Sequence, residues 1–293
     1  RALARAAAAA GIPYVVPHMG GTALEDVRIA SQGPLWYQLY MVGGRAVAEP
    51  AIQRAAAAGC DVLVLTIDNG APQRERDIRN GLAALNGGFG RRMLPHLPQL
   101  LARPGWLTGF LRAGQTRFPN ALVDGQPMTI PQVIAANRGP GSTFTWADLA
   151  WIRGLWSGRL FVKSVLTPQD ARQAIACGAD GIIVSNHGGR GLDAAPATMV
   201  VLGGIVDAVA GQAEVLVDGG FRRGGDIVKA IALGATAVLV GRPTMFALSC
   251  GEAGVTQALE MIRADLRRTL VALGRPDIAD IDRTCLLMQR GES

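Results

Sequence analysis

The run Ser185-Asn186-His187-Gly188-Gly189-Arg190 sets an imidazole and a guanidinium three residues apart, with two glycines between them. Imidazole exchanges a proton near neutral pH, and a guanidinium grips a carboxylate through two parallel hydrogen bonds. Glycines let the backbone come close to a ligand. Such a stretch could hold a small organic acid by its carboxylate and take a proton from it. A lone histidine in a loop is more often incidental, so its surroundings have to decide. Directly upstream, Gly181 to Val184 is an apolar run that reads as a buried parallel strand, which delivers His187 at a carboxyl end.

The elements that must position this stretch announce themselves by repetition. Ala10-Gly11-Ile12, Ala58-Gly59-Cys60-Asp61, Cys177-Gly178-Ala179-Asp180 and Leu233-Gly234-Ala235-Thr236 each follow a helical pattern and precede an apolar strand. The glycine predicts a left-handed helix cap, with the strand a few residues on. The strands so placed are Tyr14–Val16, Val62–Leu65, Gly181–Val184 and Ala237–Val240; Leu35–Leu39, Leu160–Val162 and Val215–Val217 complete the set. Short, continuously apolar strands alternating with helices predict a parallel sheet covered on both faces, and this many units favour a closed β/α barrel. Polar residues and glycines collect where the runs stop: Pro17-His18, Gln38 with Tyr40, Thr66 with Asp68, Lys163, Ser185 with His187, Asp218-Gly219-Gly220, and Gly241-Arg242. In a barrel these ends form one mouth, where active sites are built. Seven strands are expected in the chain, with the first of an eight-stranded barrel missing upstream of Arg1.

Composition agrees with one large globular barrel domain spanning residues 1–293, since 49% of residues are hydrophobic and 18% charged. The net charge of +6 is carried by arginine, Lys163 and Lys229 being the only lysines. No basic run carries the interleaved aromatics of a nucleic-acid surface, so no nucleic acid is expected as a partner. The cysteines at 60, 177, 250 and 285 form no CxxC pair or dense framework, which points to a reducing, cytoplasmic setting. Three scattered histidines make no metal site, and no run of about 18 apolar residues spans a membrane.

Residues 82 to 145 break the rhythm. No acidic residue lies between Asp77 and Asp124, while Arg79, Arg91, Arg92, Arg103, Arg112 and Arg117 all do, with Trp106, Leu107, Phe110 and Leu111 around Pro104-Gly105. This insertion is expected to be a long, lid-like loop over the mouth; its basic, partly amphipathic character also suits peripheral contact with the inner face of a membrane. Rhythm resumes at Thr145, a candidate helix cap, and Gly254 to Leu273 reads as a closing helix.

Ser-Asn-His-Gly-Gly-Arg at 185–190 resembles the active-site signature of the FMN-dependent 2-hydroxy-acid oxidases and dehydrogenases, the family of glycolate oxidase, flavin-type lactate dehydrogenase and mandelate dehydrogenase. Gly33-Pro34-Leu35-Trp36-Tyr37-Gln38-Leu39-Tyr40, Thr66-Ile67-Asp68, Arg74-Glu75-Arg76-Asp77, Phe161-Val162-Lys163, Asp218 to Gly224 and Gly241-Arg242-Pro243 are similar to further motifs of that family, so the likeness runs from Arg1 to about Gly274. It implies a β/α barrel that oxidises an L-2-hydroxy acid to the 2-oxo acid with FMN, and passes electrons to oxygen, a quinone or a cytochrome. It also implies a homo-oligomer, a tetramer.

By the same resemblance His187 is the proton acceptor, Asp68 its hydrogen-bonded partner, and Tyr40 faces the substrate. Arg190 and Arg74 hold the carboxylate. Gln38, Thr66 and Ser185 belong to the flavin site, and Lys163 stands at the flavin N1/C2 edge. Asp218, Gly219, Gly220, Arg222, Gly241 and Arg242 form the phosphate loops, aided by the positive end of a helix starting near Gly225. The chemistry is coherent in itself: a fixed ammonium stabilises negative charge building on a reducing ring, and a carboxylate stabilises the imidazolium that forms beside it. The chain departs from the family at Pro17-His18-Met19, where hydroxyl residues are usual, and at Gly191, where glutamine is common. Two other readings stand beside this one: another phosphate-binding barrel such as a flavin-type isopentenyl-diphosphate isomerase, and a barrel fragment that does no catalysis.

Overall fold

The computed structural model describes residues 1–68, 95–113, 117–138 and 143–287. Seven strands form one parallel sheet in which neighbours in sequence are neighbours in space: β1 (Tyr14–Pro17), β2 (Leu35–Leu39), β3 (Val62–Thr66), β6 (Arg159–Val165), β7 (Gly181–Val184), β8 (Glu214–Val217) and β9 (Ala237–Val238). All seven expected strands are present, and the ladder runs unbroken from β1 to β9 without pairing one to the other. The helical layer bridges those two edges. α1 (Ala2–Ala9) packs on the long α12 (Gly251–Ala272), tied by an Arg5–Glu252 ion pair of 2.6 Å and by Arg263 donating to the Ala10 carbonyl at 2.6 Å. The sheet is thus a partial α/β barrel. The connecting glycines behave as expected: Gly11, Gly59, Gly178 and Gly234 all have positive φ, which lets each helix end and the chain turn directly into a strand.

Alternation along the strands sorts side chains into two layers. Leu35, Tyr37, Leu39, Leu63, Leu65, Leu160, Val162, Ile182, Val184, Val215 and Val217 face outward and pack beneath the helices. Val15, Trp36, Val62, Val64, Phe161, Ile183, Leu216 and Leu239 face inward and fill the floor of the barrel. Phe161 meets the edge of Trp36 at 5.4 Å and fills the space beside Gly181, where an added Cβ would lie 2.6 Å from its ring. Because the side-chain period of a strand is two, the next inward positions at the carboxyl ends are Pro17, Gln38, Thr66, Lys163, Ser185 and Asp218. The polar residues singled out by sequence therefore form the upper layer of the same interior.

The insertion differs from the single loop expected. Arg117–Val123 and Gln126–Thr129 pair as an antiparallel hairpin, β4 and β5, about an Asp124-Gly125 turn in which both residues have positive φ. Asp-Gly between two apolar runs is a strong hairpin signal, and its backbone matches the twist of the flanking strands. Ala121 and Met128 of this hairpin are buried with Val42 and Val47 of α3 (Arg45–Ala57) and the turn before it. Asn120 fastens it further, accepting from the Leu24 N–H at 2.8 Å and donating to the Thr22 carbonyl at 3.0 Å. Residues 117–129 are thus fixed to the barrel wall beside β1 and β2. The remaining described parts are α4 (Leu97–Leu101), α5 (Pro104–Ala113) and α6 (Ile130–Arg138). Thr145 and Asp148 form the capping box that starts α7 (Trp146–Leu155), and α12 begins three residues earlier than the expected Gly254.

Candidate active site

A short turn after β7 shapes the centre of the mouth. The Ser185 hydroxyl accepts the His187 N–H at 3.0 Å, and the Asn186 side chain accepts the Gly189 N–H at 3.2 Å. These bonds hold His187 at φ 57°, unusual for any residue but glycine, and Gly188 and Gly189 continue the left-handed path at 66° and 71°. The turn lifts the imidazole off the strand and aims it back over the barrel. There its Nδ1 lies 2.9 Å from both oxygens of Asp68. Its Nε2 lies 3.1 Å from the Tyr40 hydroxyl and 3.2 Å from the Arg190 guanidinium. A carboxylate at one nitrogen and two donors at the other fix the tautomer, with Nδ1 protonated and Nε2 as the acceptor. His187 thus presents an acceptor nitrogen between a phenol and a guanidinium, an arrangement able to take up a proton.

Burial pushes the Asp68 carboxyl up, but the His187 hydrogen bond and charge, the Ser164 hydroxyl and the Lys163 ammonium together hold it below the usual carboxylate range. Asp68 thus stays ionised opposite any charge His187 acquires. Burial raises the Tyr40 phenol, which keeps it a neutral donor. The two rings lie nearly parallel, 6° apart in plane at 6.2 Å.

A second cluster continues inward. The Lys163 ammonium donates to Ser185 at 3.0 Å and pairs with Asp218 at 3.0 Å, with only 13% and 18% of the two charged side chains exposed. Gln38 donates to Thr66 at 2.9 Å and accepts from the His18 N–H at 3.3 Å. Ser185 joins the clusters, since it meets both Lys163 and the His187 backbone.

The donor set fits FMN. The second Asp218 carboxylate oxygen is buried without a hydrogen-bond partner, the state of an acceptor awaiting a hydroxyl. Gly219 and Gly220 have φ of 98° and 88°, and a Cβ on Gly220 or Gly241 would meet nothing within 4 Å, so the backbone at both loops is open to an anion. One expectation is corrected. α10 (Gly224–Ala232) begins where predicted, yet its end is not left to a phosphate: Asp226 accepts the Arg222 and Arg223 N–H groups at 3.1 and 3.0 Å, and Asp265 accepts that of Gly224 at 2.6 Å. Carboxylates on these amides leave the anion cradle to the glycine loops and to the side chains of Arg222 and Arg242. The Arg242 guanidinium here donates to the Gly188 carbonyl, linking the last loop to the His187 turn.

Of the residues marked in sequence, the structure thus unites His187, Asp68, Tyr40, Arg190, Lys163, Ser185, Asp218, Gln38 and Thr66 at one mouth. Arg74 lies outside the described residues. His18 was marked at a strand end and as a departure from the family, with no role assigned to it. It is fully buried, its Nδ1 accepts the Tyr40 N–H at 3.2 Å, and burial pushes its pKa down to about 4. It therefore stays neutral and anchors the segment that presents Tyr40. Ser164 carried no signal in sequence at all.

Residues 1–288 match the family described as FMN-dependent dehydrogenase. An L-lactate dehydrogenase of Ectopseudomonas mendocina is 39% identical over 98% of this chain and 76% of its own length. The (S)-mandelate dehydrogenase of Pseudomonas putida is 41% identical over 96% and 70%. Among solved structures, one described as the monotopic membrane protein (S)-mandelate dehydrogenase superposes with a TM-score of 0.88 at 39% identity, covering 98% of this chain and 76% of that one.

Proposed function

The chain belongs to the FMN-dependent dehydrogenase family, and on that premise we propose how its residues share the work. The reaction is the FMN-dependent oxidation of a 2-hydroxy acid to the 2-oxo acid; the lactate and mandelate dehydrogenases among its relatives favour this over an isomerase. FMN, when bound, supplies the two-electron acceptor. Everything else is the protein's task.

Arg190 holds the substrate carboxylate by paired hydrogen bonds, with Arg74 as second clamp. The Tyr40 hydroxyl and His187 Nε2 then meet the substrate hydroxyl, which lies next to the carboxylate in an L-2-hydroxy acid. Nε2 takes a proton from the substrate as it is oxidised, and Asp68 stabilises the imidazolium. With FMN bound, Lys163 would supply a fixed cation to stabilise charge on the reducing ring, Gln38, Thr66 and Ser185 would help hold that ring, and Asp218, with a buried unpartnered oxygen, would accept a cofactor hydroxyl. Gly219, Gly220, Arg222, Gly241 and Arg242 hold the phosphate. The observation that carries this reading is the His187 geometry: Nδ1 2.9 Å from Asp68, and Nε2 within 3.2 Å of both Tyr40 and Arg190. The test is anaerobic mixing of FMN-loaded protein with L-lactate, L-mandelate and glycolate. At least one should bleach the flavin; a spectrum unchanged by all three would remove the activity.

Among the described residues no helix is long and apolar enough to cross a membrane. Contact with a membrane surface is supported by α4 and α5, where Leu97, Leu101, Trp106 and Leu111 are exposed beside Arg103 and Arg112. A quinone held in that membrane is then the acceptor we favour over oxygen or a cytochrome. Flotation with anionic vesicles tests the surface, and Leu101→Ser with Leu111→Ser should weaken it. Rapid reoxidation of the reduced flavin by a soluble quinone but not by oxygen tests the acceptor. We also read residues 1–293 as one domain with an insertion bordering the mouth, assembled as a homo-tetramer, which light scattering would measure.

A further inference from the structure

Thr198 opens α9 (Thr198–Val209), the helix that follows the His187 turn, and it is only 2% exposed. A hydroxyl at a helix start usually serves the first free amides of its own helix. Here the N-cap is Ala197, no side chain caps the helix, and the Thr198 hydroxyl reaches across to the next strand instead. It donates to the Asp218 carbonyl at 2.7 Å, just past the end of β8. The Asp218 N–H is held as well, by the Val184 carbonyl at 3.0 Å. Both main-chain polar groups of Asp218 are therefore fixed, one by β7 and one by α9.

The trans peptide between Asp218 and Gly219 sets its N–H opposite its carbonyl, so a carbonyl held by Thr198 turns the Gly219 N–H away from α9. Gly219 is pressed against the same side chain: a Cβ there would lie 3.1 Å from the Asn186 side-chain oxygen and 3.2 Å from the Thr198 hydroxyl. Its φ of 98° favours glycine. On the carboxylate side, Asp218 gives one oxygen to Lys163 at 3.0 Å and keeps the other buried and unpaired. We propose that Thr198 is a positioning residue for the cofactor site: it locks the Asp218–Gly219 peptide, so that the Asp218 carboxylate and the Gly219 N–H are preset for FMN. The inference rests on reading the mouth as an FMN site. Thr198 takes no part in the proton transfer, and it lies outside every motif singled out in the sequence.

The experiment measures FMN affinity by quenching of flavin fluorescence for the flavin-free parent, Thr198→Val, Thr198→Ala and Thr198→Ser. Valine keeps the shape and removes the hydroxyl, which strands the Asp218 carbonyl; serine keeps the donor. Valine and alanine should bind FMN about tenfold more weakly per folded molecule, the effect of one hydrogen bond lost at a buried carbonyl, and serine should stay within about threefold of the parent. A merely structural threonine would lower the melting temperature of the flavin-free variants and leave the affinity of the folded molecules unchanged. That result overturns the proposal, as does a serine variant as weak as the valine. The unaltered chain supplies a measurement that needs no variant to fold. By NMR its Thr198 hydroxyl proton should exchange slowly with water before FMN is added, and exchange at the rate of an exposed threonine overturns the proposal too. A parent chain that binds no FMN instead overturns the reading on which the inference rests.

Discussion

Asp68→Asn isolates the charge behind the proposed base. The two side chains are nearly the same shape, and the Asn carbonyl can still accept the Nδ1 proton from the 2.9 Å position Asp68 occupies. What disappears is the negative charge opposite the imidazolium that forms in the reaction. Taking about 4 Å between charge centres and an effective dielectric of about 20, the lost attraction is about 4 kcal/mol. The side chains of His187 and Asp68 are 18% and 30% exposed, so water at the mouth reduces this, and about 2–4 kcal/mol is a fair range. That corresponds to flavin reduction slower by about 30- to 1000-fold. Substrate affinity should change little, since the carboxylate is held by Arg190 and not by Asp68. The assay is anaerobic stopped-flow reduction of the flavin across a range of substrate concentrations, which separates the limiting rate from the dissociation constant. A limiting rate within threefold of the parent would refute the reasoning, because a charge at that distance cannot be silent if His187 becomes cationic. Loss of FMN without loss of rate per bound flavin would instead make Asp68 a structural residue.

Three more outcomes are expected. Lys163→Met should slow flavin reduction by at least about tenfold with substrate binding nearly intact, as the cation matters most when the ring gains charge; rapid-reaction kinetics showing only weaker substrate binding would contradict it. His18 is neutral and buried with a pKa near 4 against about 6.5 for an exposed imidazole, so between those values the unfolded chain binds the extra proton. Stability should therefore fall with acidification through that window, by up to about 3 kcal/mol, and His18→Asn should flatten the dependence in urea titrations at several pH values while keeping an acceptor for the Tyr40 N–H. Gly181→Ala drives a Cβ to 2.6 Å from the Phe161 ring and should cost about 1–3 kcal/mol in chemical denaturation, with a melting temperature equal to the parent's counting against a filled barrel floor.

The strands and most of the site were legible in the sequence because both obey local rules. A glycine that must adopt positive φ marks each of four helix ends, and a short apolar run follows it; no distant contact is needed to read that. Period-two alternation then fixes which residues share the interior, so Gln38, Thr66, Lys163, Ser185 and Asp218 had to line one mouth once the strands were parallel and in order. The Asp124-Gly125 turn was equally local, and the hairpin around it could have been found. What the sequence did not determine is which side chains meet across that mouth. Tyr40 and His187 are 147 residues apart, and their 3.1 Å contact depends on the left-handed turn at His187. The Asp265 carboxylate reaches the first amide of α10 only through the packing of α12, and with the local cap by Asp226 it changes where a phosphate can be held. Ser164 is the clearest case. By alternation it belongs to the outer layer, and only the register of β6 between β3 and β7 introduces the bulge that gives that place to Val165. Spacing along a chain sets the layer a residue belongs to, while register between strands far apart in sequence sets its neighbour.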